Sequence, residues 1–291
     1  MKSIAVLITC FNRKEKTLTA LRNLYKAHRN TSFLFNFQVY ITDDGSSDGT
    51  AEAVLNYFPE VILLKGTGDL YWTRGMRNSW KEALKGKHDF YLLLNDDTNV
   101  SENVFDELEK VDDWCFKKYN QHGIYVAFTA DPDTGKLSYG AKNVLNNLSY
   151  KLGDILPNGT PQLCDLGNAN IMFVHKNVVD KIGILSKGYI HGKGDYDYTL
   201  KARKKKIPVL TTTEICGTCI KDSGNNVKYK NFAIKTLKER KDILYNPVGL
   251  DFKSHITYIK RHFPLRLPIV FFGAWFKILF PRIYIRFKKI F

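Results

Sequence analysis

Over the first hundred residues, short apolar runs of strand length alternate with segments whose apolar residues recur at helical spacing. Residues 4–8 form a continuous apolar run, as expected of a strand covered on both faces. A helix is predicted from Asn12, with Glu15 three residues on as in a capping box. Leu18, Leu21, Leu24 and Tyr25 give that helix one apolar face. A second strand over 39–42 runs directly into Asp43-Asp44-Gly45-Ser46-Ser47-Asp48-Gly49-Thr50, and a short helix with Val54 and Leu55 and a strand over 61–64 follow. The glycine-rich segment 66–75 leads into a helix marked by Met76, Trp80 and Leu84. A fourth strand over 90–94 ends in Asn95-Asp96-Asp97-Thr98. This alternation predicts right-handed βαβ units around a mostly parallel sheet. Ligands of such sheets bind beyond the carboxyl ends of the strands. Both acidic clusters fall at such ends, and so on one rim.

Beyond residue 100 the pattern loosens. A helix over 102–118 and a strand over 124–128 continue the fold, and the turn-rich stretch 131–167 predicts loops and short strands. A strand over 171–174, a helix over 175–182 and a loop over 188–194 lead to a helix from Asp195 to about residue 206. No internal repeat or low-complexity linker interrupts the chain.

Composition narrows the class. Of the 291 residues, 44% are hydrophobic and 25% charged, which is globular. The net charge of +15 suits an anionic partner such as nucleic acid, an acidic membrane surface or a phosphorylated ligand. The first apolar run is too short for a signal peptide and reads as a buried strand. The five cysteines are odd in number and irregular in spacing, unlike a disulfide framework. Cys216 and Cys219 form a CxxC, but no second pair completes a four-ligand zinc site. A cytoplasmic chain is expected.

The carboxylates carry the chemistry. Asp43 and Asp44 could serve only the turn, yet two carboxylates after a buried strand exceed what a turn needs and suit a nucleotide's hydroxyls or base edge. Asp96 and Asp97 make a hard-oxygen site for Mg²⁺ or Mn²⁺ shared with ligand phosphates, although a helix cap is the simpler use. Asp195 and Asp197 open a helix whose end is basic; the macrodipole accounts for both, and a general base would account for one. Arg74 and Arg77 flank Gly75 at a helix start, which suits a diphosphate as well as it suits solvent.

The ordered set Val6-Leu7-Ile8-Thr9-Cys10-Phe11-Asn12-Arg13, Asp43-Asp44-Gly45-Ser46, Asn95-Asp96-Asp97-Thr98 and Gly194-Asp195-Tyr196-Asp197 resembles family 2 glycosyltransferases with a GT-A fold. Gly68-Asp69-Leu70-Tyr71-Trp72-Thr73-Arg74-Gly75-Met76-Arg77 is similar to a bacterial branch acting on surface polysaccharides, and Gly167-Asn168-Ala169-Asn170-Ile171-Met172 to its acceptor-side strand. The resemblance spans about residues 3–212. It implies that Thr9, Asn12, Asp43 and Asp44 hold the nucleotide, and that Asp96 and Asp97 form the DxD-type metal and diphosphate site for Mn²⁺ or Mg²⁺. Arg74 would assist the diphosphate and Asp195 would be the catalytic base. The family often has Glu-Asp where this chain has Gly194-Asp195, and its DxD element here reads Asn-Asp-Asp. The implied reaction is an inverting transfer from a nucleoside-diphosphate sugar, UDP- or dTDP-linked, to a hydroxyl of a glycan or lipid-linked glycan. A nucleotidyltransferase is the rival enzyme, but its basic glycine-rich loop is missing after the first strand. A non-catalytic nucleotide-sugar-binding protein is the rival binder.

The tail changes character. An apolar run over 267–276 is shorter than the roughly 20 residues of a membrane span. Lys260, Arg261, Arg266, Lys277, Arg282, Arg286, Lys288 and Lys289 surround it. This composition fits a helix lying in an anionic membrane face. The expected layout is a catalytic domain over 1–222, with a nucleotide-binding half over 1–100 and an acceptor-binding half over 101–222. A helical, membrane-associating extension over 223–291 would hold the protein at the inner face of the cell membrane. No nucleic-acid partner is expected, because the basic excess lies in this tail and over 201–206, outside any nucleic-acid motif.

Overall fold

A computed structural model describes residues 1–221 and 232–288; the expected boundary at 222/223 and the cation Lys289 lie outside them. The first four strands are β1 (Lys2–Cys10), β2 (Phe35–Asp43), β3 (Ile62–Lys65) and β4 (Phe90–Leu94), joined through α1 (Lys14–Asn30), α2 (Thr50–Tyr57) and α3 (Tyr71–Ala83). They lie parallel in the order β3-β2-β1-β4. The chain goes on through β5 (Asn99–Val100), α4 (Val104–Tyr119), β6 (Ile124–Ala130) and β7 (Leu137–Tyr139). A small antiparallel sheet follows, made of β8 (Ala141–Asn146), β9 (Lys151–Asp154) and β10 (Leu166–Gly167). Next come β11 (Ile171–His175), α5 (Lys176–Ile182), α6 (Gly194–Lys204) and β12 (Val209–Thr218). The main sheet extends β4-β11-β6-β12-β5, with β7 paired to β6. This is the expected helix-flanked α/β architecture.

The continuous apolar run of β1 has a direct cause. Ile4, Val6 and Ile8 enter one core with Leu18, Leu21 and Leu24 of α1 and Val104, Leu108 and Val111 of α4. Ala5 and Leu7 enter the opposite core with Met76 and Trp80 of α3 and Tyr198 and Ala202 of α6. A strand buried on both faces has no polar side to show.

β11 runs antiparallel to β4, pairing Ile171 with Leu94. That reversal brings the residues before β11, Asn168 to Asn170, to the rim where β4 delivers Asn95. Asn95 N donates to Asn170 O at 3.1 Å and closes the junction.

Residues 232–288 contain α7 (Leu237–Tyr245), α8 (Phe252–His262), α9 (Leu267–Leu279) and α10 (Pro281–Lys288). Tyr258, Ile259 and Phe263 pack with Leu166, Tyr189 and Leu200, so α8 is seated on the α/β fold beside α6. Phe232, Leu244, Phe252 and Ile278 form a further core among the tail elements.

Candidate active site

The expected capping box of α1 does not form. The helix starts at Lys14, with Arg13 at the cap and no side chain capping it locally. The Lys14 N–H is instead accepted by Asp48 Oδ2 at 3.0 Å, from the loop after β2. Asn12 stands in the left-handed region at φ 50°. Its Oδ1 accepts from Ser47 N at 2.7 Å and its own N–H donates to Ser46 Oγ at 2.9 Å. Asp43 accepts from the hydroxyl and the N–H of the same Ser46. Asn12 and Asp43 therefore lock the loops after β1 and β2 together.

Asp44 holds a third loop. Its Oδ1 accepts from Gly68 N at 2.9 Å and its Oδ2 from Tyr71 N at 2.8 Å. Gly66 is required beneath it, since a Cβ there would stand 2.8 Å from the Asp44 Cα. Asp44→Asn keeps the shape but turns an NH₂ group toward one of those N–H donors. We expect a loss of about 1–3 kcal/mol, read as a lower urea midpoint at unchanged m. An unchanged midpoint would mean the carboxylate does not pin this loop.

The loop delivers α3 against β1. A Cβ at Gly75 would meet Thr9 Oγ1 at 2.2 Å, so glycine is what lets the helix rest on the Thr9 hydroxyl. The helix begins at Tyr71, so Arg74 and Gly75 lie inside its first turns rather than ahead of it. Its leading N–H groups are already engaged: Tyr71 by Asp44, and Thr73 and Arg74 by Ile190 O. Arg74 can thus offer an anion its exposed guanidinium, but not those donors.

Asp96, Asp97 and Asp195 line one cleft of ≈ 530 Å³ at the rim. Thr9, Asn12, Asp43, Asp44 and Arg74 are not in its wall; Asn12, Asp43 and Asp44 brace the loops beside it. A single Arg13 nitrogen, Nη1, donates to Asp96 Oδ1 at 3.1 Å and to Asp97 Oδ2 at 2.8 Å. Burial pushes the Asp96 carboxyl up to about 7, with Arg13 pulling it down and Asp97 pushing it up. One guanidinium nitrogen is thus shared between two carboxylates. Two hard oxygen donors fit a Mg²⁺- or Mn²⁺-sized cation that completes its shell with phosphate and water. Such a cation and Arg13 would compete for the same oxygens.

Asp195 opens α6. Its Oδ1 accepts from Tyr196 N at 2.8 Å and its Oδ2 from Ala169 N at 3.4 Å, tying the helix start to the strand entry before β11. Burial raises its carboxyl above the usual carboxylate range, opposed by the Tyr196 N–H and by Lys193. The preceding Gly194 has a packing cause: a Cβ there would lie 2.7 Å from Thr73 Oγ1, which donates to His191 O at 2.7 Å. There is no room for the glutamate that the family often carries.

Asp197 serves a different purpose. It is fully buried and accepts from Tyr189 Oη at 2.9 Å, and it pairs with Arg261 Nη1 at 2.8 Å and His262 Nε2 at 2.7 Å. Burial pushes its carboxyl up, but hydrogen bonds from His262, Ser186, Tyr189 and Arg261 outweigh this and bring it to about 2. It is a structural anchor for α8.

The tail also reaches the loop before α6. Asp251 Oδ2 accepts from Gly192 N at 3.0 Å and His191 N at 3.3 Å, and Ser254 Oγ accepts from Ile190 N at 3.0 Å. Loop 188–193 is thus clamped between α3 and α8.

Sequence reasoning missed several cleft residues. Arg13 was read only as part of a motif, and its neighbours Asp96 and Asp97 lie more than 80 positions away. Trp72 donates from Nε1 to Asn95 Oδ1 at 2.7 Å, fixing the residue before the acidic pair. Lys193, in the left-handed region at φ 69°, lays its ammonium over the rings of Tyr196 and Tyr258. The five cysteines are buried free thiols, with Cys219 Sγ 3.7 Å from Asp97 Oδ1.

Residues 5–136 match the family described as glycosyl transferase family 2. A mannosyltransferase, PcManGT, from Pyrobaculum calidifontis, solved with GDP-Man and Mn²⁺, is similar at TM-score 0.56 and 11% identity over 94% of this chain and 69% of that one. S. aureus TarS 1–349 with UDP-GlcNAc is similar at TM-score 0.53 and 14% identity, covering 96% and 80%. Its complex with UDP matches at TM-score 0.53 and 14% identity, covering 91% and 72%. No curated protein matches. At these identities the solved structures establish the fold, which is GT-A.

Proposed function

Since residues 5–136 match the model of glycosyl transferase family 2, we propose that the chain is an inverting, divalent-metal-dependent glycosyltransferase using a nucleoside-diphosphate sugar, UDP- or dTDP-linked. The observation that carries this reading is the single cleft lined by Asp96, Asp97 and Asp195. The Mn²⁺ and nucleotide-sugar complexes of the structural neighbours support the metal and the donor class.

In this reading Asp195 accepts the proton of the acceptor hydroxyl as that oxygen attacks the anomeric carbon. A pKa raised by burial makes it a stronger base once ionised. Asp96 and Asp97 would hold Mn²⁺ or Mg²⁺, which when bound neutralises charge on the departing diphosphate. Arg74, exposed on α3, is left to meet the diphosphate from outside. Thr9, Asn12, Asp43 and Asp44 would hold the nucleotide, and Asn12, Asp43 and Asp44 also brace the loops on that side of the rim. The acceptor is a hydroxyl of a glycan or lipid-linked glycan in bacterial cell-surface polysaccharide synthesis, met at the inner face of the cell membrane.

Thermal-shift measurement tests the donor and metal together. At a hundredfold excess over its Kd, the right nucleoside diphosphate with Mn²⁺ should stabilise the protein by about 2.7 kcal/mol. Asp97→Asn should remove the Mn²⁺-dependent part of the shift. If no nucleoside diphosphate or its sugar raises the midpoint with or without Mn²⁺, the reading fails.

A further inference from the structure

α9 carries Lys277 in its last turn and is otherwise apolar on every face, as expected of a helix that is covered on more than one side. Its inner face is covered: Leu267 and Val270 pack toward Tyr258 and Phe263, and Val270, Ala274 and Ile278 toward Phe252 and Leu244. Its outer face is not. Leu265, Ile269, Phe272, Phe276, Leu279 and Ile283 are exposed, with Leu265 at 81% and Phe272 at 73%. Ile269, Phe272, Phe276 and Leu279 recur at three and four residues along α9 and so share one face of it, and Leu265 and Ile283 continue the exposed apolar run past its two ends. A continuous apolar stripe left to water marks a docking surface.

The charges around the stripe choose its occupant. Residues 252–291 contain nine Lys and Arg and no Asp or Glu. Lys260, Arg282 and Arg286 are exposed along the same segment. A second copy of this chain would bring its own excess of cations against them. An anionic surface with an apolar interior satisfies both features. The 13 residues of α9 reach about 20 Å at 1.5 Å each, short of the roughly 30 Å of a bilayer core. Among the described residues no helix is long and apolar enough to cross a membrane. We propose that the outer face of α9 and α10 is an interfacial docking surface that lies in an anionic phospholipid bilayer, with Leu265, Ile269, Phe272, Phe276, Leu279 and Ile283 in the acyl boundary and Arg282 and Arg286 on the headgroups. This deepens the inner-membrane location proposed above and rests on nothing about sugar transfer.

The seating of this surface gives it consequences for the site. α9 follows α8, whose Asp251 and Ser254 hold loop 188–193 and whose Arg261 and His262 hold Asp197 of α6. Arg266, at the turn into α9, stacks over Tyr150 of the catalytic fold. A bilayer that takes up α9 therefore holds the Asp195 helix at a fixed attitude to the membrane plane.

The test is co-sedimentation of the full chain with vesicles of phosphatidylcholine alone or with phosphatidylglycerol, at low and high salt. The protein should sediment with the anionic vesicles, and less so as salt rises. Ile269→Asp with Phe272→Asp removes two exposed side chains without touching the core. Partitioning should fall about a hundredfold while the thermal midpoint holds. Arg282→Glu and Arg286→Glu should each weaken binding to anionic vesicles by at least about fivefold. The proposal is overturned if the unaltered protein stays in the supernatant, or if the Ile269/Phe272 variant binds as before. It is equally overturned if ultracentrifugation finds a dimer that this variant dissolves, since the stripe would then be a self-association face. Donor-induced thermal shifts in the same variant are independent of all these outcomes, so failure here and failure of the transfer reading are told apart.

Discussion

Asp195→Asn is expected to lower sugar transfer about a thousandfold while donor binding, read by thermal shift, stays unchanged. The amide keeps the size of the side chain and its one oxygen can still accept from Tyr196 N, leaving its NH₂ at the longer Ala169 N contact of 3.4 Å, but it cannot take a proton. Two further readouts separate loss of a base from loss of structure. In the unaltered protein the rate should fall as pH drops through the raised Asp195 pKa, because the protonated form cannot accept the acceptor's proton. That limb should be absent from the residual rate of the variant. The stability sign runs the other way. A carboxyl whose folded pKa lies above its unfolded value favours the fold below the unfolded pKa, and that gain is lost as pH rises through the folded pKa. At neutral pH ionised Asp195 is therefore a burden on the fold, and its replacement by asparagine lifts that burden at the cost of the Ala169 N–H contact. Near-normal transfer by the variant would remove Asp195 from the mechanism.

Much of the site's frame was legible because it is local. The apolar run of β1, the acids directly after β2 and β4, and the alternation with helices fix which loops share a rim, and each is written within a few consecutive residues. What was not legible joins distant positions. Asn12 and Glu15 have the spacing of a capping box, yet the Asn12 N–H that Glu15 would accept goes to Ser46 Oγ, 34 residues on, and the Asn12 Oδ1 accepts from Ser47 N instead. Asp197 looks like a partner of the helix dipole, and nothing near it in sequence announces Arg261 and His262 across more than 60 residues. The departure at Gly194 had no cause within its own segment; the cause is Thr73, on a different helix. The tail read correctly as apolar and basic, but only packing divides its apolar residues into the face that meets the fold and the face that does not.

The same long-range pairing sets the largest expected loss of stability, at Arg261→Met. Asp197 has no solvent exposure, and Arg261 gives it two hydrogen bonds, at 2.8 Å to Oδ1 and 3.0 Å to Oδ2. Removing the guanidinium strands a buried carboxylate with His262 and Tyr189, which costs about 3–5 kcal/mol. Asp197→Asn should cost less, because the Arg261 side chain is 41% exposed and can turn to water. The asymmetry is diagnostic: a mere packing role would make the two variants alike. For a chain of this size the Arg261→Met loss corresponds to a midpoint lower by about 10 °C. The pH dependence follows from the same carboxylate. Its folded value of about 2 lies below the unfolded one, so its contribution is present above the unfolded pKa of roughly 3.9 and disappears as pH falls through about 2. The variant should lose that contribution, so the gap between its midpoint and that of the unaltered protein should narrow across this interval. Because α8 also clamps loop 188–193 through Asp251 and Ser254, loosening it should raise KM and lower kcat together. A variant with an unchanged midpoint would mean that Asp197 does not hold the tail to the catalytic fold.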